Sequence, residues 1–254
     1  MWIDTHAHLD MEVFQKDLES VLKRAEDNGV EAIVTVGVDL RSSQDAVQLA
    51  NTRPNLYAAV GLHPHEAGSF NSMTLETLAT LSQDPKVVAW GEIGLDYYRN
   101  YSPRELQRKA FEEQLHIAID LGLPIIIHDR EAHEDILDIL RKIGKRERFG
   151  VVHCYSGDME LAQQLFDMGF FISIPGTITY KNAAQIRQVA ASAPINRILI
   201  ETDAPFLAPV PYRGKRNEPA YVAITAQELA KLRKLNETTL AGLLRDNTKK
   251  LFGI

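Results

Sequence analysis

His6 and His8, in W-I-D-T-H-A-H, stand two residues apart at the end of an apolar run. On an extended strand that spacing puts both imidazoles on one face, able to bind a single ion. Neutral imidazole is the commonest side-chain ligand of transition metals. The arrangement recurs along the chain. Glu92 ends V-V-A-W-G-E, His128 ends L-P-I-I-I-H, His153 ends G-V-V-H, Asp203 follows I-L-I-E-T, and His63 ends A-A-V-G-L-H. A carboxylate at Glu92, flanked by Trp90, Ile93 and Leu95, is costly to bury without a partner. A cation is such a partner, and the two oxygens of a carboxylate can bridge two ions. Lys86, whose amine would serve if carbamylated, lies at the wrong end of this run, which leaves Glu92 as the bridge. Asp203 is placed to bind an ion and to accept a proton from the attacking water. Glu201, two residues earlier on the same side, is placed to hold a ligand histidine in its tautomer. The expected metal ligands are therefore His6, His8, Glu92, His128, His153 and Asp203. Asp203, Glu92 and His63 are the expected reacting groups.

Ligands so far apart in sequence serve one site only if the strands carrying them converge. Eight short apolar runs, near 2–6, 32–37, 56–62, 87–92, 123–128, 150–154, 169–174 and 197–202, read as strands buried on both faces. Helical patterns lie between them. Residues 13–28 read as one helix stopped by Gly29, and Ser102-Pro103-Arg104-Glu105 as a capping box opening a helix to about Leu121. Asp158–Met168 is closed by Gly169. A loop rich in Pro and Gly, 204–218, precedes helices near 219–235 and 238–250. This alternation predicts an α/β fold, a TIM (β/α)8 barrel with an extra C-terminal helix, forming one domain over residues 1–254. A doubly wound open sheet is the competitor, but it does not bring six strand ends to one point.

Composition bounds the function. The formal net charge of −6 argues against a protein that grips duplex nucleic acid over a wide basic face. It leaves room for a nucleic-acid enzyme whose positive charge is carried by metal ions. No apolar run approaches the length of a membrane span. The N-terminus lacks signal-peptide regions, and the single cysteine, Cys154, suits a reducing cytoplasm. Strand alternation turns Cys154 toward the helix layer, as packing.

The motifs D-T-H-A-H-L-D, G-L-H-P-H, G-E-I-G-L-D-Y-Y, I-H-D-R, H-C-Y-S-G, E-T-D-A-P-F-L-A-P and R-G-K-R-N-E-P, with the closing N-T-K-K-L-F-G, occur in this order. In them the chain resembles the TatD family of metal-dependent deoxyribonucleases over essentially its whole length. The resemblance implies a TIM-barrel hydrolase with one or two divalent ions; the ligand types leave Mg, Mn and Zn open, histidine favouring Zn or Mn and carboxylate admitting Mg. The family's ligand positions fall on His6, His8, Glu92, His128, His153 and Asp203, and every one is filled. It also implies DNA as substrate, attacked from the 3′ end. We therefore expect phosphodiester hydrolysis by two metals. One ion takes His6, His8, Glu92 and Asp203, and the other Glu92, His128 and His153. The rival is an amidohydrolase of a small lactone, amide or ester. A binding protein with a structural zinc conflicts with so carboxylate-rich a ligand set.

Other residues carry two readings each. Arg130 either clamps a phosphate oxygen or enters a surface salt bridge. Tyr97, Tyr98 and Arg99 either receive a stacked base or pack their loop. His65 joins His63 near the substrate. His116 and His133 fall in helical patterns and carry no chemistry. Arg213, Lys215 and Arg216 follow the last strand, at the mouth, and are the candidates for holding a nucleic-acid backbone. The denser cluster Arg141, Lys142, Lys145, Arg146 and Arg148 belongs to the opposite end of the barrel.

Overall fold

Runs rich in Val, Ile and Ala become strands because β-branched side chains fit a pleated surface covered on both sides. The computed structural model describes residues 1–254. Its strands are β1 (Trp2–Ala7), β2 (Val30–Val36), β3 (Leu56–Val60), β4 (Val87–Asp96), β5 (Ile125–Arg130), β6 (Gly150–Val152), β7 (Phe170–Ile174) and β8 (Ile198–Ile200). They lie side by side in chain order, each parallel to the next. Around them run α1 (Glu12–Gln15), α2 (Leu18–Asp27), α3 (Leu40–Asn51), α4 (Ser72–Leu81), α5 (Arg104–Asp120), α6 (His133–Ile143), α7 (Met159–Met168), α8 (Ala184–Ser192), α9 (Val222–Arg233) and α10 (Glu237–Phe252). This is the TIM (β/α)8 barrel with an extra C-terminal helix.

Alternation along the strands divides the core in two. One set, including Ile33, Trp90, Ile125 and Ile172, packs against the helices. The other, including Val34, Val36, Ile126, Val151, Phe171 and Leu199, fills the barrel interior together with Leu251 and Phe252 of α10. Two residues beyond Ile126, Val151 and Leu199, toward the C-terminal ends, the same face carries His128, His153 and Glu201. The interior is therefore apolar in its lower layer and polar at the mouth.

Two local expectations are corrected. The stretch 13–28 is two helices, not one: the chain leaves helical geometry at Asp17, with φ −139°. There the carboxylate accepts two hydrogen bonds from Arg216, at 2.8 and 2.7 Å, while Phe14 is fully buried. Ser102 forms no capping box. Pro103 is the N-cap residue of α5, without a side-chain cap, and the Ser102 hydroxyl instead donates to the His65 carbonyl at 2.7 Å and accepts from Gly68 N–H at 3.1 Å. Asp158 and Gly169 do bound α7 as expected, Gly169 in the left-handed region.

The barrel closes between β1 and β8. Asp203 N–H donates to the His6 carbonyl (2.9 Å) and His8 N–H to the Ala204 carbonyl (2.7 Å). Below them Asp4, fully buried, accepts from Thr202 N–H at 2.9 Å and shares a 2.6 Å hydrogen bond with the Thr202 hydroxyl. Burial pushes its carboxyl up to about 8, against the opposing pull of the Thr202 bonds. Its neutral form therefore favours the fold. That contribution is complete below the unfolded value near ~4 and is lost as pH rises through about 8.

Asp4→Asn, with one acceptor and one donor end, should keep the seam. We expect its unfolding midpoint to lie within ~3 °C of the unsubstituted protein at pH 6 and to gain on it as pH rises to 8. Asp4→Ala orphans two buried Thr202 groups and should lose about 2–4 kcal/mol. Thermal unfolding of metal-free protein checks both. An Asn variant as unstable as the Ala variant contradicts the neutral-carboxyl reading.

Candidate metal centre

Glu92 lies inside β4, at a register shift against β5 where Trp90 pairs with Ile125 and Ile93 with Ile127, and the glycines flanking it have no room for a side chain. A Cβ on Gly91 would meet Ile126 Cβ at 2.6 Å, and one on Gly94, whose φ is +140°, would meet the His128 carbonyl oxygen at 2.0 Å. With both glycines in place β4 continues to Asp96, pairing Gly94 with His128 and Asp96 with Arg130. The Glu92 carboxylate, 2% exposed, then sits among five imidazoles. Oε1 is 2.7 Å from His128 Nδ1, 2.7 Å from His153 Nε2 and 3.5 Å from His63 Nε2. Oε2 is 3.3 Å from His6 Nε2 and 3.8 Å from His8 Nε2. One oxygen faces each group of histidines.

On the Oε2 side, His6 Nε2 and His8 Nε2 are 3.2 Å apart, and Asp203 Oδ1 is 3.8 and 3.4 Å from them. A cation bound tetrahedrally at ~2.1 Å separates its donors by about 3.4 Å, so these four groups already stand at the edges of a coordination shell. His8 Nδ1 donates to the Val36 carbonyl at 2.8 Å, which leaves Nε2 of the neutral ring with a free lone pair. Asp203 reaches this position from the left-handed region, φ +57°, held by the β1–β8 bonds. A non-glycine residue pays for that conformation in strain, which the seam sustains.

On the Oε1 side, His128 Nδ1 and His153 Nε2 are 3.3 Å apart. The His128 ring is turned by Asp96, whose Oδ2 lies 3.1 Å from Nε2 and also 2.9 Å from His65 Nε2. Asp96 is buried, and its role is absent from the sequence reading. Its signal was available: it follows Glu92 by four residues in G-E-I-G-L-D.

The electrostatics describe a site that holds protons where a cation belongs. Burial works to raise Glu92 and Asp203, but the surrounding imidazoles overcome it and hold both carboxyls low. Burial works to lower His8, yet Asp203 and Glu92 lift it to about 9; His128 and His153 are raised in the same way by Asp96, Glu92 and Glu201. His63 goes the other way, to about 4, through burial and the nearby His128.

The sequence profile of the family described as TatD related DNase matches residues 3–253. The chain belongs to the TatD family. It is 42% identical to the uncharacterized metal-dependent hydrolase YabD of Bacillus subtilis, over the whole of both chains. It is 36% identical to the 3′-5′ ssDNA/RNA exonuclease TatD of Escherichia fergusonii, covering 99% of this chain and 98% of that one. The crystal structure of YJJV, a TatD homolog from Escherichia coli K12, superposes with a TM-score of 0.94 at 35% identity, covering 100% of this chain and 98% of that one. Like its TatD relatives, the protein is a metal-dependent hydrolase. The donor set fits that requirement.

Around the TatD ligand cluster, several side chains are engaged otherwise than expected. Tyr97 does not face a substrate: its hydroxyl bonds Asp135 of α6, and Arg104 packs over its ring. Tyr98 is the exposed ring, and Arg130 stacks on it at 4.3 Å with no carboxylate partner. Arg216 is tied to Asp17 and to the Val13 carbonyl, so it is not available to a nucleic acid. Arg213 lies 4.3 Å over the Tyr180 ring and, like Lys215, is exposed. His65 spends Nε2 on Asp96. Glu201 accepts the Cys154 N–H at 2.5 Å, and its Oε1 is 3.6 Å from His153 Nδ1. Cys154 is not in the helix layer. β6 ends at Val152, Cys154 takes φ +45°, and its side chain borders the cavity beside His153 and Asp203. Burial and three neighbouring carboxylates push its thiol well up, so it stays protonated. His133 also borders this cavity, its Nδ1 2.7 Å from Asp129. Lys86 is remote from Glu92, its amine on the carbonyls of Arg53, Pro54 and Leu56. No helix is long and apolar enough to cross a membrane.

Because His8, His128 and His153 are raised, a cation must displace protons to bind. Apparent affinity for Mn or Zn should therefore fall as pH drops from about 9 to 6. Calorimetric titration in two buffers of different ionisation enthalpy should count about one proton or more released per ion at pH 7. Binding without proton release contradicts the protonated site.

Proposed function

We propose that this enzyme is a two-metal phosphodiesterase that removes nucleotides from single-stranded DNA ends in the cytoplasm, entering at the 3′ end. The observation that carries the reading is Arg130, a guanidinium that no carboxylate neutralises, on the cavity lined by His128, His153 and Asp203; Arg213, likewise without a carboxylate, lies over Tyr180 of the same cavity. A phosphodiester brings a negative charge at the reacting group itself, whereas a lactone, amide or carboxylic ester is neutral there. The exonuclease named among its relatives supports the substrate class and the polarity. The net charge of −6 gives little grip on duplex, and a pocket-like mouth suits a strand end better than an internal duplex phosphate.

We assign one divalent ion to His6, His8, Glu92 and Asp203, and the second to Glu92, His128 and His153. Mg, Mn and Zn all suit such mixed nitrogen and oxygen donors. When bound, the ions supply Lewis acidity, making water a stronger acid and neutralising charge that develops on phosphorus. The chain's own residues supply the rest. Asp203, held ionised by its histidine neighbours, accepts the proton of the attacking water. His63 Nδ1 accepts the His65 N–H at 3.1 Å, so the neutral ring carries its hydrogen on Nε2. It acts there as a donor, toward Glu92 Oε1 or a phosphate oxygen. Arg130 aligns the scissile phosphate, while Arg213 and Lys215 hold the strand outside. Glu201 fixes the backbone beside His153 and Asp96 fixes the His128 ring.

Asp203→Asn keeps the side-chain shape but weakens proton acceptance. Turnover of a labelled oligonucleotide by fully metal-loaded protein should fall by about 10²–10⁴-fold. Turnover within tenfold of the parent at equal metal content removes Asp203 as the base. The same assay should show a linear single strand digested much faster than a circular one. Equal rates, or hydrolysis of lactones without any of the oligonucleotide, overturn the reading.

A further inference from the structure

Hydrolysis of a phosphodiester moves protons at both ends of the reaction. Asp203 receives the proton of the attacking water. The departing O3′ would otherwise leave as an alkoxide, a strong base, and needs a proton delivered to it. A cavity of about 590 Å³ adjoins the ligand cluster, and His128, His153 and Asp203 line it together with Asp129, Arg130 and His133. Several hydrogen-bonding groups at the mouth are engaged elsewhere. Tyr155 donates to the Asp158 carbonyl at 2.6 Å and Tyr180 to the Ala208 carbonyl at 2.9 Å. His63 Nε2 faces Glu92, and His65 Nε2 is on Asp96. Arg130 is charged but does not give up a proton.

His133 differs from all of these. It is the first residue of α6, and its side chain is 38% exposed. Nδ1 is 2.7 Å from Asp129 Oδ2, so Nε2, on the other edge of the ring, is the edge left to meet a ligand. The Asp129 side chain is only 2% exposed and its Oδ1 has no partner, so this buried carboxylate depends on His133 for compensating charge. The Asp129 hydrogen bond raises the imidazole above its ordinary value against the effect of burial, and the charges of Asp129 and Asp158 add to it. A cation in the first turn opposes the helix dipole, which Glu134 and Asp135 already satisfy. The stability of α6 therefore does not account for an imidazolium at this position.

We propose that His133, oriented by Asp129, is the general acid that delivers a proton to the departing oxygen. The assignment rests on the phosphodiesterase reading and adds the group that completes its proton transfers. The oxygen of water bonds to phosphorus and the bond from phosphorus to O3′ breaks. The electron pair left on O3′ takes the proton of His133 Nε2, and the neutral ring keeps its hydrogen on Nδ1, at Asp129. Asp203 gains one proton from the water and later loses it to solvent, while His133 regains one from solvent.

The test compares two oligonucleotides under single-turnover conditions with metal-loaded protein. One has natural linkages; the other carries sulfur in place of the departing O3′ at its terminal linkage. A thiolate is a far weaker base than an alkoxide and leaves without a proton. His133→Gln should slow the natural linkage by about 10²-fold or more and the sulfur linkage by less than about threefold. Asp129→Asn, at equal metal content, should show the same pattern with a smaller loss. Equal slowing of both linkages, or a natural rate within about twofold of the parent, in folded His133→Gln protein overturns the assignment and leaves the phosphodiesterase reading standing. A parent protein that cuts no oligonucleotide ends that reading, and the assignment with it.

Discussion

A carboxylate cut off from water must be surrounded by groups that favour its charge, and Glu92 imposes that constraint on the whole mouth of the barrel. Its two oxygens face different histidines, so two clusters of donors are organised around one side chain. The fold meets the constraint by letting β4 pass closer to β5 than side chains would allow. Gly91 and Gly94 are the positions where that happens. Replacing either would push the carboxylate away from imidazoles that are themselves fixed by Val36, Asp96 and the strand ends. The cluster is thus built from strand geometry rather than from loops, which suits donors that must meet within a few tenths of an ångström.

Stability and chemistry share residues at the β1–β8 seam. The bonds that close the barrel run through His6, His8 and Asp203, and Asp203 is held in the left-handed region by them. Asp4 and Thr202 lie just beneath, out of reach of any substrate, and join the two strands. A change at Asp4 therefore acts on the ligand geometry through the backbone. At the mouth, Arg130 and Arg213 rest on tyrosine rings, which orients each planar guanidinium and leaves its N–H edges available.

The strand ends were legible because period-two alternation points His6 and His128, within β1 and β5, and His8 and His153, one residue past β1 and β6, toward the mouth; Asp203, three residues past β8 with φ +57°, follows no such period. The barrel followed from a different alternation, of apolar strands with helical stretches along the whole chain. What alternation cannot encode is where a strand stops. β6 ends at Val152, so the parity rule fails at Cys154, and β4 runs to Asp96, so a buried carboxylate that orients His128 looks like a loop residue. Partner choice among mouth side chains is also set by tertiary contacts. Tyr97 against Asp135 and Arg216 against Asp17 join residues 38 and 199 positions apart. The same Asp17 pairing interrupts the helical pattern of 13–28, and the His65 carbonyl draws Ser102 away from a helix cap.

The central claim is that one carboxylate joins two ions. Electron paramagnetic resonance of the protein saturated with Mn(II) tests it most directly. The account predicts a spectrum of spin-coupled manganese pairs that gives way to isolated Mn(II) signals in Glu92→Gln. A fully loaded protein that shows only isolated Mn(II), with Glu92 intact, would contradict it.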